Sequence, residues 1–136
     1  PEYNLYDRSG FEGALQDLCI KEEIGVITYF GLAKGFLTGK YREKSDLAQS
    51  QRGEDVADYM NPRGMQILEA LDQVAKRHNA RSAEVALAWV MAQPGVTAPI
   101  ASATSVEQVR SLVRAASLNL EVADLALLSG TGPRQL

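Results

Sequence analysis

The chain has 136 residues, is 46% hydrophobic and 23% charged, and carries a formal net charge of −3. That balance belongs to a soluble globular protein, and the length to one small domain or a piece of a larger one. The acidic charge and the scattered lysines and arginines exclude a basic nucleic-acid surface and a cationic membrane patch.

A single cysteine, Cys19, excludes an internal disulfide and makes a reducing, cytoplasmic compartment the expectation. No apolar run reaches about 20 residues, the length of a membrane span. The chain starts at Pro1 and not at a methionine, so its start is silent about a leader.

The first strand is expected at 2–5, EYNL, with a turn over 6–10. A helix follows over 11–23. Phe11, Leu15, Leu18, Cys19 and Glu22 share one stripe there, and the apolar members are expected to be buried. Gly25 stands just past its end, where helices favour glycine.

The second strand spans 24–29, IGVITY, a β-branched run expected for a strand buried on both faces of a parallel sheet. It breaks into a loop with Gly31, Gly35 and Gly39 and ends on Lys40, Tyr41 and Arg42. Residues 42–60 show no period and are expected to form a long surface loop, functional or mobile.

Asn61 and Pro62 open the next helix as N-cap and first residue, and Lys76, Arg77 and His78 close it with cations at its C-terminus. Ser82 is expected to cap a further helix, AEVALAWVMAQ, whose apolar circumference implies burial on most sides, with Pro94-Gly95 as the stop. A third strand spans 96–101. Ser105 then caps a helix with Val106, Val109, Leu112, Val113 and Ala116 facing inward. An amphipathic segment at 122–129 and a loose tail at 131–136 follow, so that 1–130 form the folded unit.

Alternating strands and helices argue for a parallel sheet with right-handed crossovers. Three short strands cannot cover the apolar surface of these helices. The chain therefore reads as part of an α/β barrel, its last three βα units, since whole barrels run to roughly 250 residues.

Two segments carry candidate chemistry. The glycine-spaced loop after the second strand reads as a cradle for a phosphate-bearing ligand, where backbone N–H groups and a lysine face the anion, or as ordinary turns. The second segment is 102–108, SATSVEQ, where hydroxyls gather at a helix N-terminus. Ser105 and Gln108 also have the spacing of a capping box, which satisfies the helix end without any ligand. Both readings stand together if Gln108 caps the empty helix and turns to a nucleotide when one is bound. In an α/β barrel both loops lie at the C-terminal ends of the strands, where such sites are built. His78 reads as a solvated dipole partner, and Cys19 and Trp89 as core. No metal-ligand or nucleophile motif occurs.

PEYNLYDR, VITYFGLAKGFLTGKYR and APIASATSVEQV, in this order, resemble the C-terminal half of an aldo-keto reductase over nearly the whole chain. The likeness is to the bacterial reductases akin to potassium-channel β subunits, and the three strands match barrel strands six to eight. The resemblance implies a (β/α)8 TIM barrel that binds NADP(H) and reduces a small carbonyl substrate, an aldehyde or ketone, by hydride transfer. It implies that Tyr29 packs on the nicotinamide, that Phe30, Gly31, Leu32 and Ala33, with Gly35, run along the pyrophosphate, and that Lys40 reaches the phosphate end. Ser102, Thr104 and Gln108 match positions around the adenosine 2′-phosphate and adenine.

Five positions depart from the family pattern. Phe30-Gly31 replaces a common Ser-Pro, Thr104 stands where arginine is frequent, and Ser111 and Leu112 replace an acid and an amide. They leave NAD(H) open as the cofactor. The family's catalytic aspartate, tyrosine, lysine and histidine come from the N-terminal half. Tyr3, Tyr29, Lys40 and His78 are not their counterparts, so no catalytic residue is expected here and the isolated chain is expected to be inactive. The alternatives are a nucleotide-binding module without turnover, or a structural half barrel. A missing N-terminal half or a second chain is expected to cover the open sheet edges.

Overall fold

A computed structural model describes residues 1–49 and 53–132. Its longest element is α3, Pro62–His78. The Asn61 side chain starts it by accepting a hydrogen bond from the Gly64 amide at 2.9 Å, Pro62 fills the first turn, and Asn79 ends it in a left-handed cap. Around it stand α1 (Ala14–Lys21), β1 (Val26–Thr28), the short α2 (Gly53–Val56), α4 (Ser82–Met91), β2 (Val96–Pro99), α5 (Val106–Ser117) and α6 (Val122–Ser129).

β1 and β2 pair in parallel, Val26 with Val96 and Thr28 with Pro99, with an irregularity after Val26. There the Val26 amide donates to Thr97 Oγ1 at 3.1 Å in place of a backbone partner. The expected first strand is reduced to one parallel bridge, Glu2 to Tyr29. The Tyr3 amide donates to the Tyr29 carbonyl at 3.2 Å, and the Tyr29 amide to the Pro1 carbonyl at 3.0 Å. Three chain segments thus lie side by side in sequence order, with helices between them in the chain.

The helices bury one face of this sheet. Tyr3 packs edge-on against Phe11 at 4.9 Å and beside Trp89 at 5.5 Å, and all three rings are fully buried. α4 is buried from Glu84 to Val90, as its apolar circumference implies.

Several expectations fail, each for a physical reason. β1 is buried on one face only: Val26 and Thr28 face the helices, whereas Ile27 is 58% exposed. Leu15 and Leu18 of α1 are exposed, so only Phe11 and Cys19 of that stripe reach the core. In α5 the face of Val106, Val109 and Val113 is exposed, and the buried residue is Ala115. Periodicity identifies which side chains share a face; burial also needs an element to cover it, and none among the described residues does so. Within 42–60, the described residues form 3₁₀ turns at Lys44–Gln49 and Ala57–Tyr59 and the helix α2, with Val56 and Tyr59 buried. The segment lies mostly at the surface, as expected, but it carries short helical turns and anchors itself through Val56 and Tyr59; residues 50–52 lie outside the described residues. α4 is capped by Arg81 and not Ser82: the Arg81 amide donates to Glu84 Oε2 at 3.2 Å. Thr131, assigned to the tail by sequence, is buried, and its hydroxyl donates to the Leu128 carbonyl at 2.6 Å. Residues 133–136 lie outside the described residues.

Candidate functional site

The loops after β1 and β2 leave the same end of the parallel pair. The Ile100 amide donates to the Thr28 carbonyl at 2.7 Å, which holds the two strand ends together where the loops begin.

The first loop opens with Tyr29 and Phe30, both half exposed and set edge to face at 5.1 Å. Its backbone is left-handed at Phe30, Ala33 and Lys34 (φ 55°, 49° and 57°) and again at Gly35 and Gly39 (101° and 81°). Such turns gather successive N–H groups into concavities suited to anions. Part of that capacity is used internally. The Ala33 amide donates to the Phe30 carbonyl at 2.8 Å, the Gly35 and Leu37 amides both donate to Leu32, and the Thr38 hydroxyl donates to the Gly35 carbonyl at 2.7 Å.

Gly31 is needed for approach, not for conformation. A Cβ there would stand 3.0 Å from Leu87 Cδ2 and 3.8 Å from Pro99 Cβ. Its absence lets the loop lie directly on α4 and on the end of β2. Ala33 is buried beneath the loop, and Leu32 is half-buried. Two lysines belong to this loop. Lys34 Nζ lies 5.8 Å from the centre of the Phe30 ring, and the exposed Lys40 places Nζ 5.0 Å from the Tyr41 ring. Arg42 anchors the end of the loop: Nε donates to the Gly39 carbonyl at 2.7 Å, and the guanidinium grips Asp72 of α3 through two bonds, at 2.9 and 2.8 Å.

The second loop carries Ser102, Thr104 and Gln108, all exposed. Ser105 caps α5, its hydroxyl accepting from the Gln108 amide at 3.2 Å. The Gln108 side chain turns back, and Oε1 accepts from the Thr104 amide at 2.6 Å and the Thr104 hydroxyl at 3.1 Å. The α5 N-terminus is thus closed by its own side chains. Below it, Glu84 Oε1 accepts from Arg114 Nε at 2.8 Å and from the Ser111 hydroxyl at 2.9 Å, so Ser111 is turned toward α4.

Sequence reasoning missed the residues that support these loops. Asn4 is fully buried, and its Nδ2 donates to the Phe30 carbonyl at 2.9 Å. Asp7 Oδ2 accepts from the Tyr59 hydroxyl at 2.8 Å, and Tyr59 stacks on Phe36 at 5.5 Å. The one available signal was the Asn4…Asp7 spacing, which suits an Asx turn. Burial pushes the Glu2 carboxyl up, the charge of Asp7 adds to this, and Lys34 opposes it. Tyr3 and Tyr59 are pushed up by burial, then by their bonds to Glu12 and Asp7. Among the described residues no group of side chains could hold a metal ion, and no helix is long and apolar enough to cross a membrane.

The chain matches the model of the aldo/keto reductase family over residues 1–131. It is 34% identical to the uncharacterized oxidoreductase YrpG of Bacillus subtilis (strain 168), over 81% of this chain and 32% of that protein. It is 31% identical to protein tas of Escherichia coli (strain K12), over 90% of this chain and 35% of that protein. A probable voltage-gated potassium channel subunit beta of Arabidopsis thaliana is 28% identical over 85% of this chain and 37% of its own length. The chain thus spans about a third of the length of the curated relatives it matches. The crystal structure of the thermostable aldo-keto reductase Tm1743, complexed with the inhibitor epalrestat, superimposes with a TM-score of 0.70 at 24% identity. That match covers 96% of this chain and 38% of the other. This likeness establishes the fold, part of an α/β TIM barrel. The chain belongs to the aldo/keto reductase family.

Proposed function

We propose that this chain is the cofactor-holding part of an NADP(H)-dependent oxidoreductase that reduces aldehydes or ketones. The observation that carries the reading is the first loop: an exposed aromatic pair, a left-handed N–H-rich turn and a lysine, in that order, at the C-terminal end of a parallel strand. The donor set suits a dinucleotide. Tyr29 offers a ring face for the nicotinamide. Phe30, Gly31, Leu32, Ala33 and Gly35 line the path of the pyrophosphate, and Lys40 supplies a cation. Ser102, Thr104 and Gln108 serve the adenosine end. Gln108 exchanges its bond to Thr104 for one to the nucleotide.

When bound, NADP(H) supplies the hydride for the carbonyl carbon. The residues of this chain bind and orient. Three described candidates for protonating the carbonyl oxygen are engaged elsewhere: Tyr3 is buried and donates to Glu12 at 2.8 Å, Tyr59 donates to Asp7, and His78 is held by Asp124 at 2.6 Å. The proton donor therefore belongs to the rest of the barrel, which also covers the face of Ile27 and Ile100. NAD(H) is the alternative cofactor, because Ser111 is turned toward Glu84 and away from a nucleotide. A cytoplasmic location accords with the single reduced cysteine.

Titration of the purified chain with NADPH, followed by nucleotide fluorescence, tests the reading, together with an assay for NADPH-dependent reduction of a generic aldehyde. Binding without turnover is expected. A folded chain that binds neither NADPH nor NADH sinks the cofactor reading, and measurable reduction refutes the assignment of proton transfer elsewhere. The exposed apolar faces favour a second reading, a structural half barrel that pairs with another chain. A stable monomer on size exclusion argues against it.

A further inference from the structure

We propose that Asn4 is the positioning residue of the 29–35 loop, holding Phe30 in its left-handed conformation through the Phe30 carbonyl. Only the consequence for nucleotide rests on the reading above; the geometry stands without it.

All four hydrogen-bonding positions of the Asn4 amide are used, in a side chain with no exposed surface. Oδ1 accepts from the Tyr6 and Asp7 amides, each at 2.8 Å. Nδ2 donates to Asp7 Oδ2 at 3.0 Å and to the Phe30 carbonyl at 2.9 Å. The partners allow one orientation, since a flipped amide would set NH₂ against two N–H donors and oxygen against two acceptors. The accepting side folds the 4–7 turn and so fixes the direction in which the donating side points. It points to a carbonyl 26 residues away, in the next βα unit.

That carbonyl belongs to the residue that most needs holding. Phe30 sits at φ 55° without being glycine, in a region bulky side chains rarely occupy. Surroundings must over-determine such a residue for it to persist. Asn4 and the Ala33 amide together do so at this carbonyl. The far end of the loop returns to the same turn: Tyr59 stacks on Phe36 and donates to Asp7 Oδ2, the oxygen that Asn4 also contacts. Asn4 is itself fully buried. It acts through the Phe30 backbone on the orientation of the Tyr29 and Phe30 rings.

The test is Asn4→Ser in the full chain. Serine can still accept from an amide in the turn, but its hydroxyl is too short to replace the bond to Phe30. Both bonds that Nδ2 donates, to Asp7 and to Phe30, are lost, and losing the one to Phe30 is expected to speed amide exchange across 29–36 by about tenfold and to raise the NADPH Kd by a similar factor. Exchange in α3 and α4 should stay at the wild-type rate. A uniform rise across all three segments, or an unchanged 29–36 segment in a folded variant, overturns the proposal. The expected exchange pattern with no NADPH binding by either protein supports the positioning role and sinks the nucleotide reading instead. If the variant does not fold, the wild-type Asn4 side-chain NH₂ decides by nuclear magnetic resonance. Protection from solvent exchange is expected, and exchange as fast as an exposed amide overturns the proposal.

Discussion

Arg114 Nε lies 2.8 Å from Oε1 of Glu84, and this bond joins the last turn of α5 to the first turn of α4. Glu84 is 3% exposed, and its other partners are the Ser111 hydroxyl and the Arg81 amide. With the valine face of α5 exposed, this polar contact joins buried Ala115 in holding α5 to the rest of the chain. Arg114→Ala takes the cation away from the buried Glu84 carboxylate and is expected to destabilise the chain. Glu84→Leu removes the acceptor and leaves Arg114 paired with Glu107 at 3.0 Å, so it should cost less than Arg114→Ala, which strips the buried carboxylate of its cation. Urea unfolding of both variants followed by circular dichroism measures the order.

Acid should loosen α6 before it melts α3. Burial alone would push the Asp124 carboxyl up, but the bond to His78, the Glu121 amide and Arg77 hold it below its ordinary value. Glu84 is likewise held low: burial opposes, while Arg114, Ser111 and the Arg81 amide prevail. A carboxyl with a depressed folded pKa contributes stability above its unfolded pKa, about 4, and loses it as pH falls through the lower folded value. The stability these two carboxyls contribute should therefore be level from pH 7 to 5 and fall below about pH 4. Asp124→Asn is expected to lower stability at pH 7 and to flatten the acid limb. Denaturation midpoints at pH 7, 5 and 3 check this, and an unchanged acid slope in the variant would contradict it.

Gly31 and Gly35 should answer mutation differently. At Gly31 the obstacle is Leu87, 3.0 Å from where a Cβ would stand. Alanine there needs a shift of only a few tenths of an ångström by a flexible side chain, whereas valine overpacks the contact at about 1–3 kcal/mol. At Gly35 there is open space, and the cost of alanine lies in φ 101°, about 1 kcal/mol of backbone strain. Paired thermal melts of Gly31→Val and Gly35→Ala should show the larger loss at Gly31. Leu87→Ala should relieve Gly31→Val and leave Gly35→Ala unchanged.

The helices α3 and α4 were legible because their signals are local: Asn61-Pro62 at one start, Pro94-Gly95 at one stop, and an apolar circumference between. The parallel arrangement followed from element order alone. The direction in which Val106, Val109 and Val113 face was not legible, since a period of 3.6 names a stripe without naming its cover. In the first loop, Gly35 and Gly39 adopt left-handed backbone that their residue type permits, while Phe30, Ala33 and Lys34 adopt it with no marker in theirs. Their conformation is imposed from outside, by Asn4 at one end and the Tyr59–Phe36 stack at the other. Contacts between residues 26 and more apart in sequence leave no periodic trace.

Lys40 and Tyr29 mark the two ends of the loop, and salt should tell them apart. Lys40 is exposed, with Nζ over the Tyr41 ring, so its attraction for a phosphate acts through solvent. Exposed charges are screened beyond a Debye length of about 8 Å at 0.15 M salt and about 3 Å at 1 M. Lys40→Ala is therefore expected to weaken NADPH binding by about fivefold in dilute buffer, and by much less in 1 M salt. Tyr29 contributes a half-exposed ring whose stacking is apolar, so Tyr29→Ala should weaken binding by about tenfold at either salt concentration. Arg42→Ala gives the control. It breaks the bidentate grip on Asp72 and the bond to Gly39, freeing the end of the loop without removing Lys40. Its loss of affinity should be smaller than that of Lys40→Ala at low salt, and it should come with a lower melting temperature, which Lys40→Ala leaves unchanged. Equal salt dependence for Lys40→Ala and Tyr29→Ala would show that the loop does not meet the dinucleotide with its ring at one end and its cation at the other.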